Sequence, residues 1–174
     1  MVKVRLYLVR HGKTMFNTIG RAQGWSDTPL TAEGERGIQE LGIGLRESGL
    51  QFERAYSSDS GRTIQTMGII LEELGLQGKI PYRMDKRIRE WCFGSFDGAY
   101  DGDLFMGIIP RIFNVDHVHQ LSYAELAEGL VEVDTAGWAE GWEKLSGRIK
   151  EGFEAIAKEM EEQGGGNALV VSHG

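Results

Sequence analysis

Apolar residues recur along the chain in two rhythms, and the alternation between them predicts a parallel sheet clothed by helices. Residues 2 to 9, Val-Lys-Val-Arg-Leu-Tyr-Leu-Val, and 168 to 171, Ala-Leu-Val-Val, have the composition of strands buried on both faces. Phe52 to Ser57 reads as a further short strand and Ile80 to Met84 as a weak one. Elsewhere the period lengthens to three and four residues. Ile38, Leu41 and Leu45 line one face of a helix capped by Thr31, with Glu33 and Glu35 at the positive end of its dipole and Gly49 as its stop. Ile64, Met67, Ile70, Leu71 and Leu74 form the buried stripe expected of a helix from about Ser60 to Leu74. Trp142, Leu145, Ile149, Phe153, Ile156 and Met160 mark a long helix from Trp138 to about Glu162, ended by Gly164-Gly165-Gly166. Strand, helix, strand, helix is the signature of an α/β fold, here a three-layer α/β/α arrangement around a mostly parallel sheet. Residues 13 to 30 and 85 to 98 read as loops, and 99 to 136 as the least regular stretch.

Length and composition narrow the picture. The 174 residues are most simply one domain, 1–174, with no internal repeat and no domain-splitting linker. No apolar run is long enough to span a bilayer, and the start lacks the features of a secretory signal, so a cytoplasmic address is expected. A net charge of −7 disfavours nucleic acid and anionic membrane as partners, although a closed pocket can concentrate positive charge in an acidic protein. The single cysteine, Cys92, excludes an intramolecular disulfide and, between Trp91 and Phe93, is expected to pack rather than react. Two histidines at 117 and 119 lack a third ligand of clear spacing, so no metal is expected.

Chemistry concentrates where two strands stop. The first apolar run ends at Arg10-His11-Gly12 and the last at Ser172-His173-Gly174. A parallel sheet delivers the ends of its strands to the crevice at its carboxyl edge, so the two His-Gly pairs can meet there. Gly12 is expected to permit a sharp turn. Arg62 falls in the first turn of the second helix, where outward-pointing N–H groups attract anions and a guanidinium adds a fork matched to phosphate. Glu90 is followed by Trp91, Phe93 and Phe96; aromatic surroundings raise a carboxyl pKa, which makes Glu90 a candidate general acid, against the alternative of a solvated partner of Arg89. Asn17 and Gln23 are ligand-contacting or merely solvated amides.

The run Arg10-His11-Gly12-Lys13-Thr14, with Asn17, Gln23-Gly24, Asp27-Thr28-Pro29-Leu30-Thr31, Tyr56-Ser57-Ser58-Asp59, Arg62, Gln65-Thr66, Arg89-Glu90, Phe93-Gly94 and Gly98, resembles the histidine phosphatase superfamily, also called phosphoglycerate mutase-like, from residue 1 to residue 174. The resemblance implies that His11 is a nucleophile that becomes phosphorylated, that Arg10, Arg62 and His173 clamp the phosphoryl oxygens, and that Glu90 is the acid and then the base. It makes Asn17, Gln23 and Gly24 substrate contacts. Lys13 stands where many relatives have glutamate, which should make the pocket mouth more positive. No cofactor or metal is implied, because cationic side chains take the ion's role. The 99–136 segment would be a lid that decides the substrate. Relatives usually continue for a few tens of residues beyond the second His-Gly, so the C-terminus at Gly174 looks truncated beside them.

The expected partner is a small phosphate ester, with a homodimer possible. Hydrolysis of such an ester is the first reading. A phosphoglycerate mutase using the same phosphohistidine is the second, disfavoured because 99–136 offers only Arg111 as a permanent cation. A phosphate-binding module without turnover is the third.

Overall fold

A computed structural model describes residues 2–174 as two compact units, each assembled from separate stretches of chain. In chain order the elements are β1 (Val4–Arg10), α1 (Met15–Ile19), α2 (Ala32–Glu47), β2 (Arg54–Ser57), α3 (Gly61–Glu73), β3 (Tyr82–Met84), a π-helix (Gly102–Ile108), α4 (Ile109–Phe113), α5 (Tyr123–Val133), α6 (Trp142–Glu162) and β4 (Gly166–Ser172), with short 3-10 turns between them.

The first unit comprises Met1–Met15, Thr28–Arg89 and Ile149–Gly174. Its sheet runs β1-β4-β2-β3, every pair parallel. Because successive side chains alternate across a strand, β4 serves both faces. Leu169 and Val171 join Ile38 of α2 and Met67, Ile70 and Leu71 of α3. Ala168 and Val170 join Ile156 and Met160 of α6 on the other side. Both layers expected from the strand-helix alternation are therefore present. Thr31 caps α2, its hydroxyl accepting from the Gly34 amide at 3.0 Å, and Gly49 follows the helix with φ +71°. In α3 the expected stripe is one residue too wide, since Ile64 is exposed while Met67, Ile70 and Leu71 are buried.

The second unit comprises Phe16–Asp27 and Glu90–Arg148. Here the sequence reading needs correction. Residues 99–136 are not irregular: the π-helix, α4 and α5 occupy much of the stretch. Ser122 and Glu125 form a reciprocal capping box that starts α5, and Leu126, Ala127 and Leu130 bury its apolar face. Gly129 lets α5 meet α4 closely, since a Cβ there would collide with the Phe113 ring. Leu104, Ile109, Leu126 and Leu130 then form a small core with Ala22, against which Trp91, Phe93 and Phe105 pack. Residues 13 to 30, expected as loop alone, contain the short helix α1. No helix among the described residues is long and apolar enough to cross a membrane.

Candidate active site

The parallel pairing of β1 with β4 places Arg10 opposite Ser172, and the His11 amide continues the ladder by donating to the Ser172 carbonyl at 3.1 Å. The next residue on each strand is a histidine. The His11 and His173 rings lie edge to face, with centroids 5.4 Å apart. His11 is buried, and its Nδ1 lies 2.8 Å from the Gly12 carbonyl oxygen. A carbonyl only accepts, so Nδ1 carries the proton of the neutral ring and Nε2 keeps its lone pair. This tautomer is the one a nucleophile requires.

At Gly12 it is close packing rather than backbone conformation that requires glycine. Its φ is not in the left-handed region. What forbids a side chain is proximity to α2, because a Cβ would stand 2.8 Å from Cγ1 of Ile38 and 3.0 Å from the Gly34 carbonyl oxygen. The Gly12 amide donates to the Thr66 hydroxyl at 3.0 Å, and that hydroxyl donates to the Arg62 carbonyl at 2.8 Å. The first turn of α3 is thereby tied to the turn carrying His11.

Arg62 is fully buried, and its Nη2 lies 3.0 Å from Nδ1 of His173. The Ser58 hydroxyl lies 2.7 Å from His173 Nε2 and 2.7 Å from the Thr63 hydroxyl, both hydroxyls being fully buried with their residues. Arg10, at the end of β1, is exposed. The ammonium of Lys13 pairs with Glu33 at 2.8 Å, so its charge is largely matched locally. Gln65, quoted above only as part of a motif, holds neighbouring segments together: its Oε1 accepts from the Leu30 amide at 3.0 Å and its Nε2 donates to Glu35 at 2.8 Å.

The remaining expected residues belong to the second unit. Asn17 is exposed on α1, whereas Gln23 and Gly24 are buried. A Cβ on Gly24 would strike the Trp91 carbonyl. The Glu90 main chain is fixed at its carbonyl by the Trp25 indole N–H at 3.0 Å and Arg148 Nη2 at 3.1 Å. Its Oε1 accepts the Trp91 amide at 2.8 Å. Behind it, Glu140 is fully buried and pairs with Arg148 at 2.6 Å. Asp97, a residue the sequence did not single out as structural, accepts from the amides of Gly24, Trp25, Ser26 and Phe93 and from the Ser26 hydroxyl, at 2.8 to 3.3 Å. Its oxygens are committed to holding the Gly24–Ser26 loop. His117 and His119 are exposed, and Cys92 is buried, with burial pushing its thiol pKa up.

Comparisons with known proteins give the family and the fold. Residues 6–174 match the model of the histidine phosphatase superfamily, branch 1. The chain is 33% identical over 173 residues to a protein named probable phosphoglycerate mutase GpmB from Salmonella choleraesuis, covering 98% of this chain and 70% of that one. It superposes on the crystal structure of phosphoglycerate mutase from Bacillus anthracis with a TM-score of 0.91 at 38% identity, covering 98% of this chain and 75% of that one. On a putative α-ribazole-5'-P phosphatase from Escherichia coli the TM-score is 0.70 at 26% identity, with 98% and 74% covered. With paired strand-end histidines, a buried arginine and a family match over nearly its whole length, the chain belongs to the histidine phosphatase superfamily, an enzyme family that includes mutases and phosphatases.

Proposed function

We propose that the protein is a metal-independent phosphomonoesterase acting on a small phosphorylated metabolite through a phosphohistidine on His11. The observation that carries this reading is the His11 ring itself, with Nδ1 turned to the Gly12 carbonyl, beside His173 and within a unit that buries Arg62. Attack by Nε2 on phosphorus needs no prior deprotonation, and cationic donors neutralise the phosphoryl oxygens. The alcohol departs with a proton from Glu90, whose carboxylate then takes a proton from the water that hydrolyses the phosphohistidine. Arg10, Arg62 and His173 orient the phosphoryl group, and Asn17, Gln23, Gly24 and Lys13 contact the ester.

The mutase reading has its own support, since two of the relatives above are named phosphoglycerate mutases. A mutase must hold a carboxylate and a second phosphate while the substrate turns, which calls for several charge-assisted hydrogen bonds of roughly 1.5–3 kcal/mol each. Of the cations in the first unit, Arg83, Lys86 and Arg89 are the ones that might serve, and Arg83 and Arg89, like Arg87 between them, are matched with carboxylates. Arg89 meets Asp59 through two nitrogens, Arg83 meets Glu159 at 2.8 Å, and Arg87 meets Asp85 at 2.7 Å. In the second unit Arg148 is matched with Glu140, and Arg21 lies over the Tyr100 ring at 4.1 Å. This distribution favours hydrolysis. A phosphorus NMR time course with 3-phosphoglycerate, run beside a panel of phosphate esters, tests it. Release of inorganic phosphate from panel members without 2-phosphoglycerate formation is expected; accumulation of 2-phosphoglycerate makes the mutase reading the right one.

A further inference from the structure

The two nitrogens of His173 face partners of opposite character, and together these specify where its proton sits. Nδ1 lies 3.0 Å from Nη2 of Arg62. A guanidinium has five donors and no acceptor, so Nδ1 must present a lone pair to it. A proton on Nδ1 would set two donors and two positive charges against each other. The remaining ring proton is then on Nε2, which donates to the Ser58 hydroxyl oxygen 2.7 Å away. The rest of the chain of bonds closes with every hydroxyl used once as a donor. Ser58 donates to the Thr63 hydroxyl oxygen at 2.7 Å, and Thr63 donates to the Ser60 carbonyl at 2.8 Å or to the Ser58 carbonyl at 3.0 Å. Ser58, Arg62 and Thr63 are all fully buried and His173 is half-buried, so bulk water reaches these bonds only from the His173 side.

We infer that Ser58, backed by Thr63, is a positioning residue that holds His173 as a neutral imidazole with its proton on Nε2. In the resting protein both ring nitrogens of His173 are engaged within the first unit, so His173 orients a phosphoryl group only once that group displaces one of these partners, and the permanent cations supply the charge. The Ser58 amide donates to the Val171 carbonyl at 3.2 Å, which fixes the hydroxyl relative to the strand that carries His173. The catalytic consequence rests on the phosphohistidine reading above; the position of the proton does not.

Proton-detected NMR of the protein with 15N-labelled histidine tests the inference, and the presence of only four histidines makes assignment by substitution tractable. The expected wild-type spectrum has a sharp His173 Nε2–H correlation protected from exchange with water, and no proton on Nδ1. Ser58→Ala should lose that protected signal, as should Thr63→Val, which preserves side-chain shape, whereas Thr63→Ser should keep it. In the two variants that lose it, kcat/KM for an aryl phosphate should fall about ten- to hundredfold, comparable with removing the outer hydrogen-bond partner of a metal-bound histidine. A doubly protonated His173, a proton on Nδ1, or a protected signal unchanged in Ser58→Ala overturns the inference, as does full activity where the signal is lost. The wild-type spectrum decides the position of the proton even if a variant fails to fold. A wild-type protein that hydrolyses no ester but shows the protected signal refutes the hydrolase reading and leaves the position of the proton standing.

Discussion

Asp97 illustrates how much of the candidate site depends on residues that carry no chemistry. Its carboxylate gathers five donors from Gly24, Trp25, Ser26 and Phe93, so Asp97→Ala removes an acceptor shared by four partly buried amides and a hydroxyl. A loss of about 2–3 kcal/mol is expected, the upper range for an ordinary single substitution, and calorimetric melting of the variant measures it. The residues proposed to react should respond differently. His11→Ala should abolish turnover and phosphoenzyme formation without comparable loss of stability. Glu90→Gln should still be phosphorylated by an aryl phosphate yet lose about 10²–10⁴-fold on an alkyl phosphate, because only the poor leaving group needs the acid. Rapid-quench phosphorylation with both esters checks this, and equal losses on the two would remove Glu90 from the acid role. His11, His173 and Arg62 were legible in the sequence because each stands at a strand end or in a first helical turn. Ser58 was legible only as a member of a motif and Thr63 and Asp97 not at all, since a buried hydroxyl or a carboxylate collecting distant amides leaves no period or spacing in the chain.

At the scale of elements, the strands and long helices followed their apolar periods, while the segment 99–136 did not betray its helices. The reason is local: the π-helix departs from the 3.6-residue period, α4 is five residues long, and α5 is announced mainly by Ser122 and Glu125 at its start. Ser122→Ala should therefore cost about 1 kcal/mol, read as a shift of the denaturation midpoint in urea. The Glu140–Arg148 pair offers a sharper test. Glu140 has no solvent exposure, and Glu140→Gln removes the charge of the buried carboxylate that Arg148 meets at 2.6 Å, which should destabilise the protein by about 3–5 kcal/mol. Replacing both residues by leucine and methionine should recover part of that loss, because the desolvation of the two charges is removed together while the Cys92 amide and the Glu90 carbonyl each lose a partner.

Over the whole molecule, acid should undo the first unit through its paired carboxylates. Hydrogen bonding from Arg87 holds Asp85 below the usual carboxylate range, and hydrogen bonding from Arg89 does the same for Asp59. A depressed folded pKa contributes stability above the unfolded value of about 3.9, and that contribution disappears as pH falls through the folded value. Melting temperatures measured from pH 6 to pH 2 should thus fall most steeply below about pH 4, and Asp85→Asn should flatten the decline. The two units can be followed separately with labels the chain already carries. All four tryptophans, Trp25, Trp91, Trp138 and Trp142, and the only cysteine, Cys92, lie in the second unit, and none lies in the first. Intrinsic indole fluorescence and the rate at which a thiol reagent reaches buried Cys92 therefore report on that unit alone, while far-ultraviolet dichroism also sees the sheet of the other. Midpoints that coincide across the three signals make the chain one cooperative block; midpoints that separate divide it into two, with no dye or engineered residue required.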